Sequence, residues 1–223
     1  MIGLRVGVLV SGSGSNLQSI LDAERAGRLG PATVVLVLSN RPGVLAIERA
    51  RVAGVEVEVI DHRAFAGDRA SFERALVERL LAVRVDLVVL AGFMRLLGKS
   101  FLEAFPGRVV NIHPALLPAF PGVDGQGQAL RYGAKIAGCT VHFVDEGTDS
   151  GPVIAQAAVP VLDDDDEKAL AARILAQEHR VLPRVIRWIA EGRVVREGRR
   201  VRIVGLGVSA GSHLRSPEPE DEA

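Results

Sequence analysis

The chain has 223 residues, 48% of them hydrophobic, enough to bury the core of one domain with a small extension. Lys and Arg number 27 and Asp and Glu number 27, so a broad electrostatic attraction to nucleic acid or to an anionic membrane is not indicated, although a local basic patch is allowed. One cysteine, Cys139, excludes an intramolecular disulfide and a zinc site built on several cysteines, and it fits a reducing compartment.

The first apolar run, "LRVGVLV" (4–10), reads as a buried strand. It is too short to span a membrane and lacks the basic flank and cleavage pattern of a signal peptide. The most apolar stretch further in, Val85 to Leu97, contains Asp86 and Arg95 and reads as a strand and turn. A soluble, cytoplasmic protein is expected, with no membrane and no nucleic acid among its partners.

"SGSGSNLQ" (11–18) joins this strand to a helix running from Asn16 to about Arg28. Glycines let a backbone approach a ligand, while serines and helix N-terminal amides offer donors to a phosphate. The dinucleotide fingerprint fails because Leu17 stands where a third glycine is needed, and Ser39-Asn40-Arg41 stands where an acidic residue is expected. The triphosphate loop fails for want of a lysine. A phosphate monoester on Gly14, Ser15 and Asn16 fits, as does a plain strand-to-helix turn capped by Ser15 or Asn16.

Further along, residues 33–39 form a strand, 44–53 a helix ending at Gly54, and 55–60 a short strand. A helix over 68–81 aligns Phe72, Ala75, Leu76 and Leu80 on one face, and strands at 85–92 and 108–112 flank a short helix over 99–104. Continuously apolar strands alternating with helices predict an α/β fold, a Rossmann-like and mostly parallel sheet with helices on both faces. After residue 130 the pattern changes. Strands at 137–144 and 152–161, with only a loop between, suit an antiparallel pair, and a helix over 167–191 is capped by Asp165 or Asp166. The acidic run Asp163–Asp166 reads as a solvated turn and helix start, and no metal site is expected. Residues 192–204 read as a hairpin turning at Glu197-Gly198, which gives a small antiparallel C-terminal extension. A single domain is expected over 1–204, in halves of about 1–105 and 106–204, with 205–223 a disordered tail that has little to bury.

Ligands of such a sheet bind beyond the carboxyl ends of the strands. "AGFMRLL" (91–97) at one such end is either core packing or an apolar slot for a flat heteroaromatic ligand. "VVNIHPALLPAFPG" (109–122) places Asn111 and His113 two apart on an extended chain, so both project from one side. Pro114 restricts His113 to extended conformations, and Pro118 and Pro121 stiffen the loop beyond. An amide donor beside an imidazole suits a developing oxyanion and proton movement. In "VHFVDEGTDSGPVI" (141–154), Asp149 lies in a loop able to return towards His113, where a carboxylate would favour the charged imidazole. No Ser-His-Asp reading holds, because the serines lack the nucleophile elbow.

Together "SGSGSNLQ", "SNRPG", "VVLAGFMRLL", "VVNIHPALLPAFPG", "VHFVDEGTDSGPVIAQ" and "QEHRVLP" resemble, in that order, the phosphoribosylglycinamide formyltransferase family. This is the glycinamide ribonucleotide branch of the 10-formyltetrahydrofolate-dependent formyl transferases, and the likeness spans most of residues 1–204. It implies that the amine of glycinamide ribonucleotide attacks the formyl carbon of 10-formyltetrahydrofolate, a cosubstrate, with no metal. It assigns catalysis to Asn111 (oxyanion donor), His113 (charged partner and proton donor) and Asp149 (holding that charge and taking the amine proton through water). By the same resemblance Gly14, Ser15 and Asn16 hold the ribonucleotide phosphate and Glu178 its ribose hydroxyls. Arg69, Met94, Arg95, Leu96 and Leu97, with Asn111 and the loop Asp145, Glu146, Gly147, Thr148 and Asp149, line the folate site. The first half of the domain thus becomes nucleotide-binding and the second folate-binding and catalytic. A homodimer is compatible with the resemblance, since family members are often dimers.

Two departures stand out. Ala115 replaces a common serine, a change that leaves the His-Pro geometry intact. "PGVDGQGQAL" (121–130) has Asp124 and Gln126 where some members carry histidines, and its extra glycines, Gly125 and Gly127, suggest a mobile lid. His142 matches a family position and on strand alternation is equally a structural histidine facing the loop of Asp149. Among rivals, a methionyl-tRNA formyltransferase would need a further nucleic-acid-binding domain and a basic surplus. A formyltetrahydrofolate deformylase typically adds an N-terminal regulatory domain, whereas here the first strand begins at residue 4. A non-catalytic binder of a phosphorylated metabolite or folate has no need of Asn111, His113 and Asp149 together.

Overall fold

The structure is a computed structural model that describes residues 3–206. The tail expected over 205–223 therefore lies outside the described residues from 207 onward. Nine strands and six α-helices are present among the described residues. Strands β1 (Leu4–Val10), β2 (Ala32–Ser39), β3 (Val57–Val59), β4 (Leu87–Leu90) and β5 (Val109–His113) are parallel. They are followed by β6 (Ile136–Phe143), antiparallel to β5, and β7 (Val153–Pro160), antiparallel to β6. The sheet order is β3-β2-β1-β4-β5-β6-β7, and a separate hairpin is formed by β8 (Val194–Glu197) and β9 (Arg200–Ile203).

The apolar strands are buried on both faces because helices cover both. Along β1, Val6, Val8 and Val10 face one core while Leu9 faces the other. The first core is closed by α1 (Ser15–Arg25), α2 (Leu45–Val52) and the long α6 (Glu167–Ala190) through Leu17, Ile20, Ala46, Leu170, Leu182 and Ile186. On the opposite face lie α3 (Arg69–Ala82) and α4 (Lys99–Ala104), with Phe72, Leu76, Leu80 and Phe101. Gly7 faces α3, and a Cβ there would come within 2.7 Å of Leu80 Cδ2, so the helix packs as closely as a glycine permits.

Several boundaries differ from the sequence-based expectation. Helix α1 stops at Arg25 and β3 holds only three residues, because Val55 and Glu56 belong to the turn entering an edge strand. A short 3₁₀ turn, His62–Phe65, follows β3 and was not expected; Asp61 caps it by accepting from the Arg63 amide. The acidic run is a turn as read. Asp166 caps α6 by accepting from the Ala169 amide at 2.7 Å, whereas Asp165 pairs with Arg173 and Asp163 with Lys135. Among the described residues no helix is long and apolar enough to cross a membrane, and no group of acidic, His and Cys side chains is arranged to hold a metal.

The chain runs from β1 outward through β2 and β3, then returns to β4 on the other side of β1. The crevice between the carboxyl ends of β1 and β4 is thus the switch point at which an open α/β sheet takes ligands.

Leu182 is fully buried in α6. Leu182→Ala is expected to lower the free energy of urea unfolding by about 2–5 kcal/mol. Leu162→Ala, at a side chain 48% exposed, is expected to change it by less than about 0.5 kcal/mol.

Candidate active site

By alternation along β5, Val110 and Ile112 join the first core while Val109, Asn111 and His113 share the opposite face. The β5–β6 register sets Asn111 opposite His142. From the end of β6 the chain loops back through residues 144–152, and Asp149 adopts a left-handed conformation (φ 50°), which an aspartate tolerates better than most side chains. This turn returns the carboxylate to β5. Its Oδ2 lies 3.3 Å from His113 Nδ1, and its Oδ1 lies 3.4 Å from Asn111 Nδ2 and 3.7 Å from His142 Nε2. The Gly122 amide donates to Oδ2 at 2.8 Å. Burial pushes the Asp149 carboxyl up, but the His142 contact, the Gly122 amide and the nearby imidazoles outweigh it and hold the group below its ordinary value.

His113 is buried, with Nε2 2.8 Å from the Phe120 carbonyl and Nδ1 against Asp149. A carbonyl and a carboxylate only accept, so an N–H on either ring nitrogen faces an acceptor. His142, also buried, contacts the Phe143 carbonyl through Nδ1 at 2.9 Å, leaving Nε2 to face Asn111 Nδ2 at 3.2 Å. It thus contacts both Asn111 and Asp149, a placement that strand alternation alone left open.

Residues 119–125 carry the contacts that close on His113. Phe120 (φ 54°) and Asp124 (φ 60°) both sit in the left-handed region, a strained setting that puts the Phe120 carbonyl on the imidazole. The glycines expected to belong to a lid open a helix, α5 (Gly125–Tyr132), capped by Asp124, which accepts from the Gly127 amide at 3.1 Å. A Cβ on Gly125 would lie 3.1 Å from the Pro114 carbonyl and 3.4 Å from His113 Nε2, and one on Gly127 would strike the Asp124 carboxylate. Both glycines thus sit where a Cβ would be crowded. The turn before them is held by Thr140, whose hydroxyl donates to the Ala115 carbonyl (2.6 Å) and accepts from the Leu117 amide (3.0 Å).

Beside these groups a cleft of about 150 Å³ is lined by Arg69, Arg95, Leu96, Leu97, Asn111 and the loop Asp145–Asp149, including Glu146, Gly147 and Thr148. An adjoining hollow, lined by Met94, Leu96, His113 and Val123 among others, continues past the imidazole. The apolar cluster of 93–97 divides: Phe93 and Leu97 belong to the core, whereas Met94 and Leu96 are each 63% exposed at the cleft. Among the described residues the backbone groups of Arg95 and Leu97 take no protein hydrogen bond, so they are free to meet the polar edge of a ligand. Arg69 is held by buried Glu73, whose Oε1 accepts from its Nε at 2.6 Å and from the Gly98 amide at 2.8 Å. The loop that bears Asp149 is stapled by the Ser150 hydroxyl donating to Asp145 at 2.6 Å.

The glycine–serine loop meets α1 with Gly14 in the left-handed conformation (φ 70°), where a Cβ would lie 2.7 Å from that of Ala46. The first amides of α1, from Ser15 and Asn16, are therefore presented without a side-chain cap and are available to an anion. The Asn16 side chain points inward instead, donating to Glu178 Oε2 at 2.7 Å, while its Oδ1 has no partner. Glu178 is 6% exposed, and burial raises its carboxyl above the ordinary value against the lowering contact of Asn16. Burial and the Glu178 charge also push the Cys139 thiol up to about 12, leaving it inert as a nucleophile at neutral pH. Sequence reading missed the parts played by Gly122, Phe120, Thr140 and Glu73. The first two act through backbone atoms and carry no residue-type signal; the others are single polar residues inside apolar patterns, a weak signal that was present.

A sequence model of the formyl transferase family matches residues 4–186. The chain is 44% identical over 191 residues to the phosphoribosylglycinamide formyltransferase of Escherichia coli (strain K12), covering 86% of this chain and 89% of that protein. It is 53% identical over 189 residues to the trifunctional purine biosynthetic protein adenosine-3 of Drosophila melanogaster, covering 84% of this chain but only 14% of the length of that protein. Among solved structures, glycinamide ribonucleotide transformylase 1 from Symbiobacterium toebii superposes with a TM-score of 0.88 at 57% identity, covering 90% of this chain and 94% of that one.

The environment of Glu178 gives a signed pH dependence. A carboxyl whose value is raised on folding favours the native state while protonated, so its contribution is present below the unfolded value of about 4.5 and is lost as pH rises through the higher native value. Unfolding free energies measured from pH 4 to 8 are expected to show Glu178→Gln gaining on the native sequence as pH rises. A difference that is flat with pH would contradict this assignment.

Proposed function

The chain belongs to the formyl transferase family, and from that premise we propose that it transfers the formyl group of 10-formyltetrahydrofolate to the amino group of glycinamide ribonucleotide, giving N-formylglycinamide ribonucleotide in purine biosynthesis. The observation that carries the reading is the convergence of Asn111, His113 and Asp149 within 3.4 Å contacts, between a cleft with a free backbone edge and an uncapped helix N-terminus. The ribonucleotide phosphate is held by Gly14, Ser15 and Asn16 through backbone amides, and its ribose hydroxyls by Glu178. The folate heterocycle enters the cleft of Arg95, Leu96 and Leu97, with Arg69 at the rim for a carboxylate and Met94 beside the N10 side.

The amine nitrogen bonds to the formyl carbon and the carbonyl oxygen becomes an oxyanion. Asn111 Nδ2 donates to that oxygen, exchanging its long contact to Asp149 for a better one. His113, charged between Asp149 and the Phe120 carbonyl, adds electrostatic stabilisation from a largely water-excluded position. The amine loses its proton to Asp149, through a water. The carbon–N10 bond then breaks and N10 gains a proton that His113 supplies as it exchanges the Phe120 carbonyl for substrate. The proton then passes from Asp149 back to His113, 3.3 Å away, so atoms and charge balance without metal or redox chemistry.

A formyl-transfer assay by absorbance, run with and without glycinamide ribonucleotide, tests the reading. Turnover that requires the ribonucleotide is expected, and formyl loss without it would identify a deformylase instead. Removing the buried charge partner in Asp149→Asn is expected to lower kcat by at least about a hundredfold while leaving binding of a 10-formyl-dideazafolate analogue within about threefold. His113→Ala is expected to cost at least as much. Near-normal turnover in Asp149→Asn would refute its role in handling the proton.

A further inference from the structure

The segment Ser11–Asn16 looks in sequence like one phosphate cradle, yet its members are anchored in different directions. From Gly12 onward the backbone is tied to α2: the Ala46 amide donates to the Gly12 carbonyl (3.2 Å) and the Arg49 guanidinium to the Ser13 carbonyl (2.9 Å). Ser11 is tied to the other side of the switch-point crevice. Its amide donates to the Gly92 carbonyl at 3.1 Å, and its hydroxyl accepts from the Met94 amide at 2.8 Å. That hydroxyl lies 2.6 Å from Asn40 Oδ1. Ser11 is 3% exposed and Asn40 is fully buried.

The donor inventory makes this chain directional. A backbone N–H can only donate, so the Ser11 oxygen accepts from Met94 and gives its single proton to Asn40 Oδ1. Asn40 is itself held at the end of β2, its carbonyl 2.9 Å from His62 Nδ1 and its amide 3.4 Å from the Val10 carbonyl. The ends of β1, β2 and the segment after β4 are thus locked by one buried polar line. It ends on the stretch whose Met94, Arg95 and Leu96 wall the cleft.

We propose that Ser11 is a positioning residue for the folate and not for the ribonucleotide: its hydroxyl, oriented by Asn40, fixes the Met94 amide and thereby the wall formed by residues 92–97. This rests on the reaction proposed above. Because the phosphate loop is anchored separately through Ala46 and Arg49, loss of the Ser11 hydroxyl should be felt on one substrate only.

Steady-state kinetics of Ser11→Ala test the assignment. The KM for 10-formyltetrahydrofolate is expected to rise about tenfold, the effect of leaving one buried amide unpaired, while the KM for glycinamide ribonucleotide stays within about twofold. Ser11→Thr, which keeps the hydroxyl, is expected to restore most of the loss. An unchanged folate KM, or an equal rise for both substrates as general loosening would give, overturns the inference. Calorimetric binding of the 10-formyl-dideazafolate analogue to native protein and variant decides the same question without turnover. A native protein that binds the analogue but forms no product would refute the proposed reaction and leave this comparison to stand or fall alone. Should Ser11→Ala fail to fold, amide hydrogen exchange in the native protein still discriminates. A Met94 amide bonded to a buried hydroxyl exchanges slowly, and exchange at the rate of an open amide overturns the proposal.

Discussion

The Asp149 carboxylate is the charge around which the site is arranged. It is half-buried, and burial by itself pushes a carboxyl towards its protonated form. It stays ionised because β5, β6 and the turn at Gly122 bring two imidazoles, an amide side chain and a backbone amide to its two oxygens. Each of those groups is in turn oriented by the carboxylate. Loss of the anion would leave His113 with one oxygen acceptor and would free the Gly122 turn, so charge and loop geometry depend on each other.

That mutual dependence accounts for the strained backbone at three positions around His113. Phe120, Asp124 and Asp149 all adopt left-handed backbone conformations, and all lie in the two segments that close on His113. Buried contacts over-determine them. Thr140 holds the turn after His113 on one side, and on the other Gly125 lets α5 pack against it where a side chain would be crowded. The result is an imidazole held between a carboxylate and a backbone carbonyl.

A second buried carboxylate, Glu178, has the opposite electrostatic setting. It meets one amide and no cation, so burial raises its proton affinity where the partners of Asp149 lower that of Asp149. The site therefore holds two carboxyl groups of differing acidity, one beside the imidazole and one beside the glycine–serine loop. Such separation gives two carboxyl groups of one site different proton affinities.

Much of this was legible in the linear sequence. Apolar strands without alternation required a sheet covered on both sides, and the break in pattern after residue 130 announced the antiparallel strands β6 and β7. The spacing of Asn111 and His113 put both on one face of β5, since strand periodicity is local geometry. Distance in space is not local, and only the tertiary structure decided it. The return of Asp149 to within 3.3 Å of His113, the pairing of Asn16 with Glu178 and the hold of Asn40 on Ser11 each join residues far apart in the chain. The same holds for Gly125 and Gly127. A glycine reads identically in sequence whether or not it has a close neighbour, and only the packing against Pro114 and Asp124 showed that these two do. Residue type and period are written in the chain, but which buried donor meets which acceptor is set by how the layers stack.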